Sequence, residues 1–364
     1  MFKSGRYGLN DRVIGIWTWI MRFSRGQERI GVAVPHLMQQ RSRRTRELES
    51  ACHARHAPAN IGRPPLANVS MKVKWLALFA LVTVPHLFAQ SSSSPSPPSP
   101  PVVGVAFWNI QWFPGRHPNA SPIAEQRQIA AVQRDMRMID ADVIGIEEAR
   151  DFSKATIAVA SRPGFKVDVC SNFPPREDQN VAQQVAIASR LTPMGAWVEM
   201  WKHNGALLPP RGFAFAVYQI APGRLLLVYA VHLKSNRGEI SEDRAIREES
   251  IRQLRAHVAA MNAAYGKLGT ITWIIGGDFN TSPDDPRFAQ ETTMRRLLAD
   301  GFSWCWQNVP FSQRITLPAD KFFPSACFDH IFFRNANLIS ARVIPSSKRS
   351  SDHRAIFGVF QVPP

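Results

Sequence analysis

The run Ile271-Thr272-Trp273-Ile274-Ile275 is too short for an ordinary helix and rich in β-branched and aromatic residues, so it predicts a strand buried on both faces. No other stretch constrains the fold as tightly. It closes on Gly276-Gly277-Asp278-Phe279-Asn280, where two glycines let the backbone turn sharply and bring an acid and an amide to the strand's exposed end. Such an acid can orient or deprotonate a water, and the amide can bind an oxyanion. A turn satisfied by Asx hydrogen bonds is the plainer reading of the same five residues.

The pattern recurs along the chain. Residues 102–107 predict a strand that delivers Trp108-Asn109-Ile110-Gln111-Trp112-Phe113, with Asn109 and Gln111 on one side by alternation. Ile129, Val132, Met136 and Ile139 form the core stripe of a helix over 122–139. Residues 143–146 are a second buried strand carrying Glu147 and Glu148 at its end; adjacent acids on a strand point to opposite faces, so one enters a shared site and the other is solvated. Strands follow at 183–190 and 225–231, the latter closing on His232, and a long helix at 241–264 makes the crossover to the central strand. A helix is expected at 287–299. Strands at 328–333, 338–344 and 355–362 complete the set, with Ser351-Asp352-His353 before the last. The loop-rich region 303–325 carries Trp304, Trp306, Phe311, Phe322 and Phe323, a satellite core or a surface that stacks on substrate.

Charge divides the chain unevenly. The total is +16, yet residues 1–74 hold 14 Lys and Arg against 4 Asp and Glu, which leaves 30 basic and 24 acidic residues beyond them. A balance of about +6 there is compatible with a polyanionic partner without demanding one. Met71-Lys72-Val73-Lys74 is a basic head, an apolar run follows to Val84, and Leu87-Phe88-Ala89 before Gln90 resembles a signal-peptidase site. The run is too short to span a bilayer permanently. The expected organisation is therefore an extension of non-native or disordered character at 1–70, a signal peptide at 71–89, a Ser/Pro-rich linker at 90–101 and one domain at 102–364. On this reading translation begins at Met71 and the product is exported, to the periplasm or beyond; a basic nucleic-acid-binding arm is the alternative for 1–70. In an exported protein Cys305 and Cys327 are the nearer pair for a disulfide among Cys170, Cys305 and Cys327, and three buried thiols are the other possibility.

Asn109, Glu148, His232, Asp278, Asn280, Asp329, Asp352 and His353 all fall at or beside ends of predicted strands. Acids for a hard cation, two imidazoles and two amides suit hydrolysis of a phosphoester with a bound metal. Trp108-Asn109-Ile110, Asp142 through Glu148, Val231-His232-Leu233, Gly277-Asp278-Phe279-Asn280, Phe328-Asp329-His330-Ile331 and Ser351-Asp352-His353 together resemble, in order, the motifs of the endonuclease/exonuclease/phosphatase superfamily. That resemblance implies a four-layer α/β/β/α sandwich of two mixed sheets flanked by helices. It implies a metal-dependent phosphoesterase, expected here as a monomer, with Glu148 holding Mg²⁺ or Mn²⁺ (Ca²⁺ also admissible) and Asn109 and Asp352 assisting. His353, oriented by Asp329, and His232 would bind the scissile phosphate, Asp278 would activate water, and Asn280 would hold water or a phosphate oxygen. The family usually has Gln at the position of Glu147. His232 favours the deoxyribonuclease, sphingomyelinase and phosphatase branches over the apurinic endonucleases. With Lys234, Asn236 and Arg237 as candidate phosphate contacts, a nuclease is the leading expectation. A phosphatase or lipid phosphodiesterase acting on a small phosphoester or phospholipid head group is the alternative, and a non-catalytic scaffold a third.

Overall fold

Strand β1 (Val102–Phe113) is buried along nearly its whole length, as its apolar run demands, in a computed structural model whose described residues are 100–175 and 182–363. The extension, the leader and nearly all of the linker lie outside those residues. The chain continues through α1 (Pro122–Met136), β2 (Val143–Ala149), α2 (Phe152–Val159), β3 (Lys166–Cys170), β4 (Gln184–Ser189), β5 (Pro193–Met200), β6 (Gly212–Ala221) and β7 (Arg224–His232). Then come α3 (Ile240–Tyr265), β8 (Thr270–Asp278), α4 (Thr293–Ala299), β9 (Ser303–Trp304), β10 (Asp329–Arg334), β11 (Asn337–Ile344) and β12 (Ala355–Gln361).

The described strands form two mixed six-stranded sheets, ordered β11-β12-β1-β2-β4-β3 and β5-β6-β7-β8-β10-β9. Val105, Phe107, Ile187, Val228, Ile274 and Ile331 fill the space between them. On the outer face of the first sheet, Val132 and Met136 of α1 and Ala155 and Ala158 of α2 pack against Ile144 and Ile146. On the outer face of the second, Ile251, Leu254, Val258 and Met261 of α3 cover Tyr229, Trp273 and Ile275. Four layers result, helix, sheet, sheet, helix, as expected. Gly276 has a structural reason at the sheet interface: a Cβ there would meet Phe107 Cε2 at 2.2 Å, so the ring fills the room the missing side chain leaves.

Two local expectations change, and one question left open is decided. No helix spans 287–299; the chain makes a short 3-10 turn at Pro286–Phe288 and a helix only at Thr293–Ala299. The residues between deliver Glu291 to the buried Arg247 of α3, with contacts of 2.7 and 2.8 Å, and that ion pair overrides local helix propensity. Cys305 and Cys327 are free, buried thiols, not a disulfide. Strict alternation fails in β1, whose pairing with β2 shifts register between Asn109 and Phe113, and Gln111 and Trp112 take left-handed φ of 48° and 46°.

Candidate active site

Register brings the site together. In the parallel pair β7–β8, His232 lies opposite Asp278, and in the antiparallel pair β8–β10, Asp278 lies opposite Asp329, so three adjacent strands of one sheet present His232, Asp278 and Asp329 in a row. In the facing sheet, Asn109 of β1 stands beside Glu147 of β2, with Glu148 one residue further on. The two rows meet at Asn109, whose Nδ2 donates to Glu148 Oε1 at 3.0 Å and to Asp278 Oδ2 at 3.1 Å. Its Oδ1 accepts from the Gln111 N–H. His232 Nε2 lies 3.7 Å from Glu148 Oε1 and 3.6 Å from Asp278 Oδ2.

Backbone strain concentrates here. Glu148 has φ 66° and Asn280 φ 53°, conformations that cost a residue with a Cβ roughly 1–2 kcal/mol. At Glu148 the carboxylate is held in place by Asn109 and, through Oε2, by the Trp112 N–H at 2.9 Å. Alternation predicted a solvated Glu147, and the structure overturns this. Glu147 is wholly buried between the sheets, beneath Gly277, where a Cβ would meet its Oε1 at 2.7 Å. Neither of its carboxyl oxygens has a hydrogen-bond partner among the described residues. Burial, then Asp329 and Asp278, push its pKa well above the ordinary carboxyl range, which keeps it a neutral acid.

His353 arrives from the segment before β12. Its Nδ1 is 2.9 Å from Asp329 Oδ2 and its Nε2 3.7 Å from Asp278 Oδ2. Burial opposes charge on this imidazole, but Asp329 and Asp278 outweigh it and hold the pKa well above the ordinary value. His232 is the reverse case: burial first, then Arg211, lowers its pKa well below the ordinary value and leaves it neutral. Asp278 is pushed up to about 7 by burial, against the opposing charge of His353. Its Oδ1 accepts from the Asn280 N–H at 2.9 Å. The environment thus favours charge on His353, disfavours it on His232 and raises the Asp278 pKa, the separation of tendencies that acid–base chemistry needs.

The candidate residues do not all converge. Asp352 is exposed and its Oδ2 accepts from Gln111 Nε2 at 2.7 Å. Lys234 is committed to Asp243 at 2.5 Å. Asn236 supports the site from outside, donating to the Asn280 carbonyl at 2.7 Å and accepting from Arg247. Arg237 lines an open cleft of about 570 Å³ that also holds Glu148, His232, Asp278, Asn280 and His353 on its walls.

Several supporting residues gave no sequence signal. Gln128, buried in α1, donates to the carbonyls of Ile110, Gln111 and Ser350, which ties the bulged end of β1 to the His353 segment. The Trp108 indole donates to the His353 carbonyl at 3.1 Å, and the Trp306 indole to the Asp329 carbonyl at 3.1 Å. Thr316 Oγ1 accepts from the N–H groups of Phe328 and Asp329. A buried polar side chain within an amphipathic or loop sequence looks like any surface residue until its distant partners are known.

Donor chemistry fits a hard divalent ion. Glu148 Oε1 and Asp278 Oδ2 meet around Asn109 Nδ2 and stand 3.7 and 3.6 Å from His232 Nε2, and carboxylate and amide oxygens so grouped are the donors a hard cation takes. Asp278, Asp329 and His353 also bring one ligand atom each within 4.8 Å of one another. In that trio the hydrogen bond from His353 Nδ1 to Asp329 leaves Nε2 as the ring's remaining donor atom, so the trio is a second seat beside the Glu148 side.

The endonuclease/exonuclease/phosphatase family model matches residues 106–353. Among solved structures, the chain is similar to an endonuclease/exonuclease/phosphatase from Beutenbergia cavernae, at 18% identity over 72% of each chain with TM-score 0.53. It is similar to the human Nocturnin catalytic domain with bound sulfate, at 17% identity over 72% of this chain and 94% of that one, TM-score 0.54. D. rerio TDP2 complexed with a single-strand DNA product aligns at 14% identity over 72% of this chain and 99% of that one, TM-score 0.51. No curated protein sequence matches the chain significantly.

Proposed function

Because the chain belongs to the endonuclease/exonuclease/phosphatase family, we propose that it is an exported, metal-dependent phosphodiesterase that cleaves nucleic acid. The observation that carries the chemistry is the convergence of His232, Asp278 and Asp329 from one sheet with Asn109 and Glu148 from the other, around the imidazole of His353. Export rests on the leader-like segment beginning at Met71. The choice of nucleic acid rests on the cationic cleft, on whose walls Arg116, Arg237, Lys348 and Arg354 stand, and D. rerio TDP2, of similar fold, is a structure that holds a DNA product.

In this reading Glu148 is the principal ligand of a Mg²⁺ or Mn²⁺ ion, with Asn109 and Asp278 beside it and Asp352 at the mouth. Such an ion supplies positive charge against the phosphoryl and leaving-group oxygens. Asp278, fixed by Asn109 and the Asn280 N–H, takes a proton from the attacking water. The imidazolium of His353, held by Asp329, faces the charge that builds on the phosphoryl oxygens. His232, neutral and fixed between two carboxylates, offers its Nε2 proton to the same group. Stabilisation of this kind costs no reorganisation, because Trp108, Trp306 and Thr316 hold the backbones of His353 and Asp329 beforehand.

The test uses the full chain with a plasmid, single-stranded oligonucleotides and bis(p-nitrophenyl) phosphate, in Mg²⁺, in Mn²⁺ and in EDTA, beside Asp278→Asn and His353→Ala. Cleavage that needs metal and falls on the order of 10²-fold or more in each variant is expected. A folded wild-type protein inert on all three substrates would overturn the phosphodiesterase reading; hydrolysis of the small diester with nucleic acids untouched would overturn the nuclease reading alone.

A further inference from the structure

The aromatics of the region 303–325 divide sharply. Trp306 packs in the core between the sheets and Trp304 lies partly buried against it, but Phe322 and Phe323 are 72% and 62% exposed, the most exposed large aromatic side chains among the described residues. They sit at the tip of a hairpin closed by paired hydrogen bonds between Leu317 and Ala326. The tip is built, not loose. Asp320 Oδ1 accepts from the N–H groups of both Phe322 and Phe323 at 2.7 Å, the Asp320 N–H donates to the Phe323 carbonyl at 3.0 Å, and Ser325 Oγ accepts from the Ala319 N–H. An aspartate that spends its carboxylate on presenting two apolar rings to water does nothing for the core.

Phe323 lies on the wall of the active cleft, whereas Phe322 does not line it. Its neighbours on that wall are the apolar Leu317, Pro318, Ala319 and Pro324, with Asp320 among them. Cations share the cleft: Lys348, close enough to Asp320 at the tip to act on its charge, Arg354 next to His353 in sequence, and Arg237 from the loop after β7. A cleft that sets an exposed aromatic ring and several cations around one site matches a strand whose bases and phosphates are both accessible. In a duplex the base faces are stacked inside, so only an unpaired base can lie on Phe323. A lipid surface would instead require the tip rings to project away from the cleft together, and Phe323 does not.

The hairpin is also indexed to the chemistry. At its base, the Thr316 carbonyl accepts from the Arg354 N–H at 2.7 Å, next to His353, and the Thr316 hydroxyl accepts from the Asp329 N–H at 3.1 Å. One residue therefore fixes the tip relative to the His353–Asp329 pair. We propose that the hairpin Leu317–Ala326 binds single-stranded nucleic acid by stacking an unpaired base on Phe323, and so sets which phosphate reaches His353. This rests on the nuclease reading and sharpens its substrate to an unpaired strand.

The experiment compares full-length wild type, Phe323→Ala, Phe323→Tyr and Phe322→Ala on an end-labelled oligothymidylate, a blunt-ended DNA duplex of two separate strands and bis(p-nitrophenyl) phosphate. Phe323→Ala is expected to raise KM for the oligothymidylate on the order of tenfold and to blur its cleavage positions. Turnover of the small diester, which has no base to stack, should stay within about twofold, Phe323→Tyr should restore KM, and Phe322→Ala should have the smaller effect. An unchanged KM and cleavage pattern in Phe323→Ala would overturn the inference, as would an equal loss on the blunt-ended duplex. So would loss of binding to phosphatidylserine vesicles with nucleic-acid cleavage intact, which would make the tip a lipid-binding element. If wild type cleaves the small diester but no oligonucleotide, stacking falls while the phosphodiesterase reading stands; inactivity on both substrates would remove the two together.

Discussion

At the scale of single residues, the two acids at the end of β2 show how one backbone step separates roles. Glu148 leaves the strand with φ 66° and reaches Asn109 and the Trp112 N–H, while Glu147 stays between the sheets without a partner. Its raised pKa has a sign that can be checked. Above an ordinary carboxyl value of 4.5 the unfolded chain has released this proton and the folded chain still binds it, so stability is fully present below that pH and is lost as pH rises through the folded value. Glu147→Gln removes the titration, and its stability relative to wild type, read from urea midpoints in EDTA, should therefore grow between pH 5 and pH 8. A constant difference would show that Glu147 titrates normally. Asp329 acts on His353 in the opposite sense, favouring the charged ring. Asp329→Asn should lower the His353 pKa, visible in NMR titration of the metal-free protein, and reduce turnover on the order of 10²-fold. An unmoved His353 pKa would deny Asp329 that role.

Among the elements, β8 was the most legible, because a strand buried on both faces has a continuous apolar run and its glycines mark where it ends. β6 is as deeply buried but left less trace: Phe213, Phe215 and Val217 face the helices, while Ala214 and Ala216 face the other sheet, and alanine on one face weakens the apolar signal. β3 and β5 are only partly covered, so they read as ordinary polar chain. The site residues at strand ends were readable as a set because their motifs stand in family order. What that order could not supply were the distant hydrogen bonds of Gln128 and Thr316, or the break in the 287–299 segment that sends Glu291 to Arg247. Arg247 also donates to the Lys234 carbonyl and to Asn236, so it clamps the loop that supports Asn280. Removing one partner leaves the other charge buried, at about 3–5 kcal/mol. Glu291→Gln should therefore destabilise the protein in urea more than Arg252→Ala, whose ion pair with Glu249 is half exposed on the arginine side. Equal effects would mean that the buried pair adds nothing.

For the whole molecule, the proposals of export and of metal binding lead to separate measurements. If Met71 opens a secretory leader, the protein recovered from its native host should begin at Gln90, and a peptide from residues 1–60 in the mature product would refute that start. Metal binding has a thermodynamic reading independent of turnover. Glu148 and Asp278 approach one another across the meeting edge of both sheets through Asn109, so an ion seated between them joins the two halves of the sandwich and binds only the folded state. At a concentration of about 100 times Kd it would stabilise by about 2.7 kcal/mol, a shift of a few degrees for a domain of this size. Mg²⁺ or Mn²⁺ added to EDTA-treated protein should raise Tm in proportion to the logarithm of its concentration. Glu148→Gln should abolish that rise, because an amide gives up the negative charge that draws the ion and, with one acceptor oxygen in place of two, keeps only one of the hydrogen bonds from Asn109 and the Trp112 N–H. Asp352→Asn should reduce it only slightly, since that exposed carboxylate at the cleft mouth is already bonded to Gln111. A full shift in Glu148→Gln with none in Asp329→Asn would move the ion to the Asp278, Asp329 and His353 trio. The imidazole of His353 would then be a ligand and could not at the same time be the cation that faces the phosphate, so this single comparison decides between two different mechanisms built from the same residues.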